Sequence, residues 1–302
     1  MKRPSMSPAP PSPTLTPMDR GVLIYLALTA IVAVAFGGST GLLIAGIHVV
    51  GSAAVLALGR WHPRRGFLGF LRASYGVLIC PALYAELATL NRFFTERFFD
   101  GLAQEWDAAL FAGQPSMYLS EWWPWLPFSE VLHLGYFAYY AVVPAALIGA
   151  YVTRGYDALA RASFGVAAAF FLCYLIFAVF PVAGPRYEFV RIGGEISEGT
   201  LYGLVHSILE SGSSKGTAFP SSHIAASLAA VLGAAREDAR WFWLLIIPEI
   251  ALALGTVYGR FHYAIDAVAG LALALAVWAL TPAAFRVLGG RQPAAELGYP
   301  TQ

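Results

Sequence analysis

Apolar runs separated by short polar clusters fill most of the chain, at about 21–37, 40–59, 67–90, 129–151, 162–182, 221–235, 241–258 and 263–285. Each run is continuous, and most have the length needed to cross a hydrocarbon core as helix. Strands of a lipid-facing barrel would alternate apolar and polar residues. In lipid, every backbone amide also needs an internal partner, which a helix supplies along its own length. The run at 221–235 is short and alanine-rich, so it spans only if its polar start lies at the interface. The pattern therefore predicts an all-α polytopic transmembrane helix bundle of six to eight spans.

Composition agrees with this pattern. Hydrophobic residues make up 58% of the 302 and charged residues 12%, where an ordinary soluble domain has roughly a quarter charged. A formal net charge of +1 gives no polyanion-binding surface and no nucleic-acid partner. Cys80 and Cys173 lie inside apolar runs and read as packing. Residues 1–19 hold six prolines and read as a disordered tail. Residues 20–60 then form two N-terminal spans, 61–287 a catalytic membrane domain and 288–302 a second tail. The run from 21 is read as an anchor rather than a signal peptide, because another run follows at once without a cleavage site.

When the connecting segments are assigned alternately to two sides, thirteen Lys and Arg fall on one side and six on the other. This bias puts both termini in the cytoplasm. The connections 91–128, 183–220 and 259–262 then share the extracytoplasmic face. In the first of these, Phe94, Phe98, Leu102, Trp106 and Leu110 recur every four residues. That stripe, with charges on the other side and followed by the tryptophans of EWWPWLPF, predicts a helix lying at the membrane surface, the alternative being a helix packed on the protein body.

Candidate chemistry collects on that face. Pro220 suits a helix start, and Ser221 and Ser222 suit the capping of its amides. His223 in the first turn then sits where a phosphoryl group is favoured. His262 and Asp266, four apart, stack on one helix face. An aspartate accepting from one ring nitrogen leaves the other free to attack or take a proton. The apolar hairpin 221–258 returns the chain to the side it left, so the two histidines can converge. Phosphoryl transfer needs a nucleophile, an acid for the leaving oxygen and cations for the equatorial charge. His262, His223 and the set Arg186, Lys215 and Arg260 supply these. No carboxylate cluster or Cys/His spacing suggests a metal, and no cofactor motif is present.

PSSH at 220–223 and HYAID at 262–266 resemble the motifs of the phosphatidic acid phosphatase type 2 superfamily. That resemblance implies a six-helix core and metal-independent transfer through a phosphohistidine. His262 would be the nucleophile, Asp266 its orienter and His223 the acid and base. Thr256 stands where the superfamily usually has an arginine, and its first lysine–arginine-proline motif is missing. GPRY at 184–187, HY at 262–263, WDAALFAGQPS at 106–116 and LGYFAYYAVVP at 134–144 look more like the inositol phosphorylceramide synthase and sphingomyelin synthase branch. The expected activity is therefore transfer of a phospho-headgroup to a lipid acceptor, with a membrane lipid as substrate. The alternatives are a lipid phosphate phosphatase and a non-enzymatic transporter or scaffold. His48, His133, Glu86, Glu130 and Glu249 read as partnered groups inside the bundle, and His206 as part of a short amphipathic helix.

Overall fold

The computed structural model describes residues 15–290. The predicted tails lie largely outside this range. Two helices, α1 (Pro17–Phe36) and α2 (Gly38–Leu58), form a hairpin at Gly37. A third span follows in three pieces, α3 (Gly66–Leu78), α4 (Cys80–Ala85) and α5 (Leu87–Phe94). Two short helices, α6 (Asp100–Phe111) and α7 (Pro115–Trp122), precede α8 (Leu126–Phe137) and α9 (Tyr139–Arg154), which are bent by 45° at their junction. The long helix α10 (Tyr156–Val179) leads into an outer connection with α11 (Pro185–Glu188), a 3₁₀ turn and α12 (Thr200–Gly212). The chain closes with α13 (Ser222–Glu237), α14 (Arg240–Tyr258) and α15 (Ala264–Val287). Among the described residues, six helices are long and apolar enough to cross a membrane, or seven with the bent pair. The chain is an integral multi-pass membrane protein with an all-α bundle.

The short alanine-rich run became the centre of the bundle. At 16 residues, α13 is about 24 Å long and does not match a full hydrocarbon core. It packs instead against α9, α10, α14 and α15, so protein rather than lipid surrounds it. Its small side chains permit that close approach. The tightest point is Gly270 of α15, where an added Cβ would lie 2.7 Å from the Ser221 carbonyl oxygen. This contact brings the start of α13 against the start of α15.

Two expectations change. The first helix begins at Pro17, inside the segment expected as tail, because Thr16 and Asp19 form a reciprocal cap. Asp19 is also fully buried against Arg72, at 2.6 Å, and Tyr75, at 2.7 Å. The surface stripe is broken as well: residues 95–99 are not helical, which removes Phe98 from the helix that carries Leu102, Trp106 and Leu110. The new helix α6 is docked through Asp100, Ala103 and Asp107, which are buried, while Leu110 is exposed. Asp100 and Asp107 therefore face the protein rather than water, while Glu105 stays exposed.

Candidate active site

Three chain segments meet at the outer end of the bundle. Residues around Val182 and Thr217 run side by side, with Ala218 N–H donating to the Val182 carbonyl at 2.9 Å. Asp100 accepts from Ala183 and Gly184 N–H, each at 2.8 Å, and from the Tyr263 hydroxyl at 3.0 Å. Asp107 accepts from Ala264 and Ile265 N–H at 3.1 and 2.7 Å, the first exposed amides of α15. One acidic face of α6 thus holds both the 183–184 segment and the beginning of α15. Burial raises the Asp107 carboxyl to about 6, against the lowering effect of its two amide donors.

The turn into α15 carries His262. Both Phe261 and His262 N–H donate to the Thr256 carbonyl, at 3.0 Å each. Thr256 is fully buried, and its hydroxyl donates to Ala253. His262 Nδ1 lies 2.9 Å from the Ala218 carbonyl oxygen. A carbonyl only accepts, so the proton belongs on Nδ1 and the lone pair on Nε2. Asp266 Oδ2 lies farther from Nδ1, at 3.4 Å, and accepts from Tyr263 N–H at 2.8 Å. The main-chain carbonyl therefore takes the orienting bond expected of Asp266. The carboxylate stays beside the ring, with its other oxygen buried and unpartnered. Burial pushes the His262 imidazole down to about 4, so it is neutral near pH 7.

His223 occupies the first turn of α13, where Ser221 provides the cap by accepting from Ile224 N–H. Its ring centroid is 5.8 Å from that of His262. The Tyr136 hydroxyl lies 3.3 Å from His223 Nε2, and the Tyr139 ring packs edge-on against the imidazole at 4.8 Å. His223 Nδ1 is buried without a partner. Both histidines line one pocket with Arg186, Tyr84, Tyr136 and Tyr187.

The sequence-predicted site residues divide into two groups. His223, His262, Asp266 and Arg186 come together, and Arg186 has a buried guanidinium nitrogen without a partner. Ser221 and Ser222 are buried at the helix start and do not line the pocket. Lys215 is exposed beside it and rests over the Phe98 and Tyr187 rings. Arg260 points elsewhere. Its backbone takes the left-handed conformation, φ 58°, and its guanidinium donates to the Val190 carbonyl at 2.6 Å, the Met117 carbonyl at 3.3 Å and the Ser120 hydroxyl at 3.1 Å. These bonds tie outer segments together instead of serving the pocket. Sequence reasoning missed Tyr136, because a tyrosine within an apolar run carries no sign that its hydroxyl meets a histidine 87 positions away. It also missed the Tyr84 hydroxyl, which lies 2.8 Å from Thr217 Oγ1 and accepts from Ser214 N–H.

Glu130 and His133, read as partnered groups, are held as such. Glu130 accepts from Leu201 and Tyr202 N–H at the start of α12, and His133 Nδ1 lies 2.7 Å from the Ser129 carbonyl oxygen. His48 sits 3.0 Å from Glu86. Among the described residues, no group of three or more His, Cys, Asp or Glu is placed to hold a metal ion.

A family model described as the PAP2 superfamily matches residues 110–280. No curated protein and no solved structure matches the chain.

Proposed function

We propose that this chain, which belongs to the PAP2 superfamily, is an integral membrane enzyme that transfers a phospho-headgroup from a lipid donor to a lipid acceptor. Membership supports a phosphatase or phosphotransferase acting on lipids. The observation that carries the residue roles is the pairing of His223 and His262, 5.8 Å apart between ring centroids, in one pocket with Arg186.

The reaction is a double displacement. Neutral His262 attacks phosphorus through Nε2. The new N–P bond forms as the P–O bond to the leaving alcohol breaks, and His223, which is buried beside His262 and holds a proton only while the phosphate anion faces it, gives that proton to the oxygen. The phosphorylated imidazole is cationic, and Asp266 at 3.4 Å compensates it. Arg186 holds the equatorial oxygens. An acceptor hydroxyl then gives its proton to His223 and attacks phosphorus, which releases His262 in its starting form. No step requires a bound ion. The charge bias of the connecting segments supports an extracytoplasmic site.

Transfer is favoured over hydrolysis by the GPRY and HY features and by the pocket's wall of hydroxyls, Tyr84, Tyr187 and Thr217. The test is to incubate purified protein with phospholipid labelled in its phosphate and with a lipid alcohol. A new labelled lipid supports transfer, whereas free phosphate alone identifies a phosphatase. Trapping of an acid-labile phosphoprotein in the wild type and its loss in His262→Ala supports the nucleophile. Undiminished turnover in His262→Ala and His223→Ala refutes the histidine mechanism and favours a transporter or scaffold. Turnover that survives exhaustive chelation supports metal independence.

A further inference from the structure

Beyond the reaction pocket, a second group of cations gathers where the third span leaves the lipid. Arg92 lies in the last turn of α5, with its guanidinium 3.9 Å from the Phe98 ring centroid. The Lys215 ammonium lies 4.7 Å from the same centroid. Buried Asn91 builds the frame between them. Its amide nitrogen donates to the Lys215 carbonyl at 2.8 Å, and its oxygen accepts from Arg92 Nε at 3.0 Å. Gly216 permits this approach, since its φ is +94° and an added Cβ would lie 2.3 Å from Asn91 Nδ2. Arg92 and Lys215 make no ion pair with a carboxylate among the described residues, where the outer cations Arg191 and Arg260 pair with Glu210 and Glu121. Arg92 Nη1 donates to the Glu96 main-chain carbonyl at 2.8 Å, and Arg92 Nη2 is buried without a partner.

Two like charges held over one ring are mutually destabilising unless an anion joins them. We propose that Arg92 and Lys215 form a headgroup site for an anionic phospholipid, separate from the reacting phosphoryl site. The guanidinium and ammonium would share its phosphate oxygens. The lipid source follows from the surroundings. Phe94, two residues beyond Arg92, is 39% exposed and packs on Phe36, which is 57% exposed at the end of α1. These rings offer an apolar surface to acyl chains at the same end of the helix that carries Arg92, at the depth of headgroups. The same loop, residues 213–218, carries the carbonyl that holds His262 Nδ1. Occupancy should therefore order the reaction pocket and raise turnover.

Native mass spectrometry of the full chain in detergent, titrated with phosphatidylglycerol, gives a direct test. Wild type and His262→Ala should retain the lipid equally, and Arg92→Gln with Lys215→Gln should weaken it about tenfold or more. Arg92→Lys with Lys215→Arg should restore retention, which separates lost charge from lost folding. In phosphatidylcholine vesicles, turnover by the wild type should rise with phosphatidylglycerol content and stay flat in the glutamine pair. Equal retention by wild type and the glutamine pair would overturn the site. Displacement of the lipid by equimolar inorganic phosphate would overturn its assignment to a lipid. Loss of activity in His262→Ala with retained phosphatidylglycerol keeps this result distinct from the reaction mechanism.

Discussion

Among the described residues, carboxylates withdrawn from water gather in two regions, apart from Glu249 against Ser227 inside the bundle, and they are satisfied differently. In the N-terminal half they meet side chains of opposite or matching polarity, buried Asp19 with Arg72 and half-buried Glu86 with His48. Behind the pocket, Asp100, Asp107 and Asp266 accept from backbone amides and pair with no Lys or Arg among the described residues. A carboxylate paired with an arginine joins two helices and leaves the region neutral. A carboxylate held by amides fixes the path of the chain and has no cation beside it. In the reaction proposed above, the Asp266 carboxyl lies beside the imidazole that becomes cationic.

The sharpest way to break this comparison is to remove the reacting group. His262→Ala should lower turnover by about a thousandfold or more, with little change in melting temperature. Loss of stability without loss of specific activity would put His262 in the same class as the N-terminal pairs. Asp19→Ala should do the reverse. It leaves Arg72 buried and unpaired, and should cost about 3–5 kcal/mol in denaturation while turnover per folded molecule is kept. Asp100→Asn comes next, with an expected loss of about ten- to a hundredfold in kcat/KM, because the substitution removes the charge and replaces one of the two accepting oxygens by a donor. An unchanged rate would show that neither the charge nor the second acceptor is required.

The smallest effect concerns pH. The folded Asp107 carboxyl is raised to about 6, so it takes up a proton as pH falls through 6. A group raised on folding favours the fold most below its unfolded value of 3.8 and loses that contribution as pH rises through 6. Turnover should fall modestly on the acid side of pH 6 as the charge behind α15 disappears, and Asp107→Asn should remove that dependence. His262 has the opposite sign in its stability effect. Its folded value of about 4 lies below the unfolded 6.5, so its neutral state is costless above 6.5 and weakens the fold as pH falls through 6.5 to about 4. A pH profile of both rate and melting temperature separates the two groups.

How far the sequence could be read depends on whether the partners are local. The spans were legible because apolar length needs no partner. His262 and Asp266 were legible because four residues of helix place them on one face. The face by which α6 docks was not, since Asp100 and Asp107 look like a wet face until the amides of residues 183, 184, 264 and 265 arrive from distant parts of the chain. Arg260 was misjudged because a positive charge gives no direction. Its left-handed turn sends the guanidinium toward Val190 and Met117. The N-terminal tail was taken three residues too far into α1 because Pro17, counted as a tail residue, is also a favourable first residue of a helix.

The mounting of His262 has one further consequence. Its ring is held by the carbonyl of Ala218 and its main-chain N–H by the carbonyl of Thr256. Both fixings belong to the peptide chain, so exchanging either side chain does not delete them. A saturation survey of positions 218 and 256 would register only the packing of new side chains. The two attachments themselves are accessible to synthesis rather than to the genetic code, through replacement of a single peptide bond by an ester.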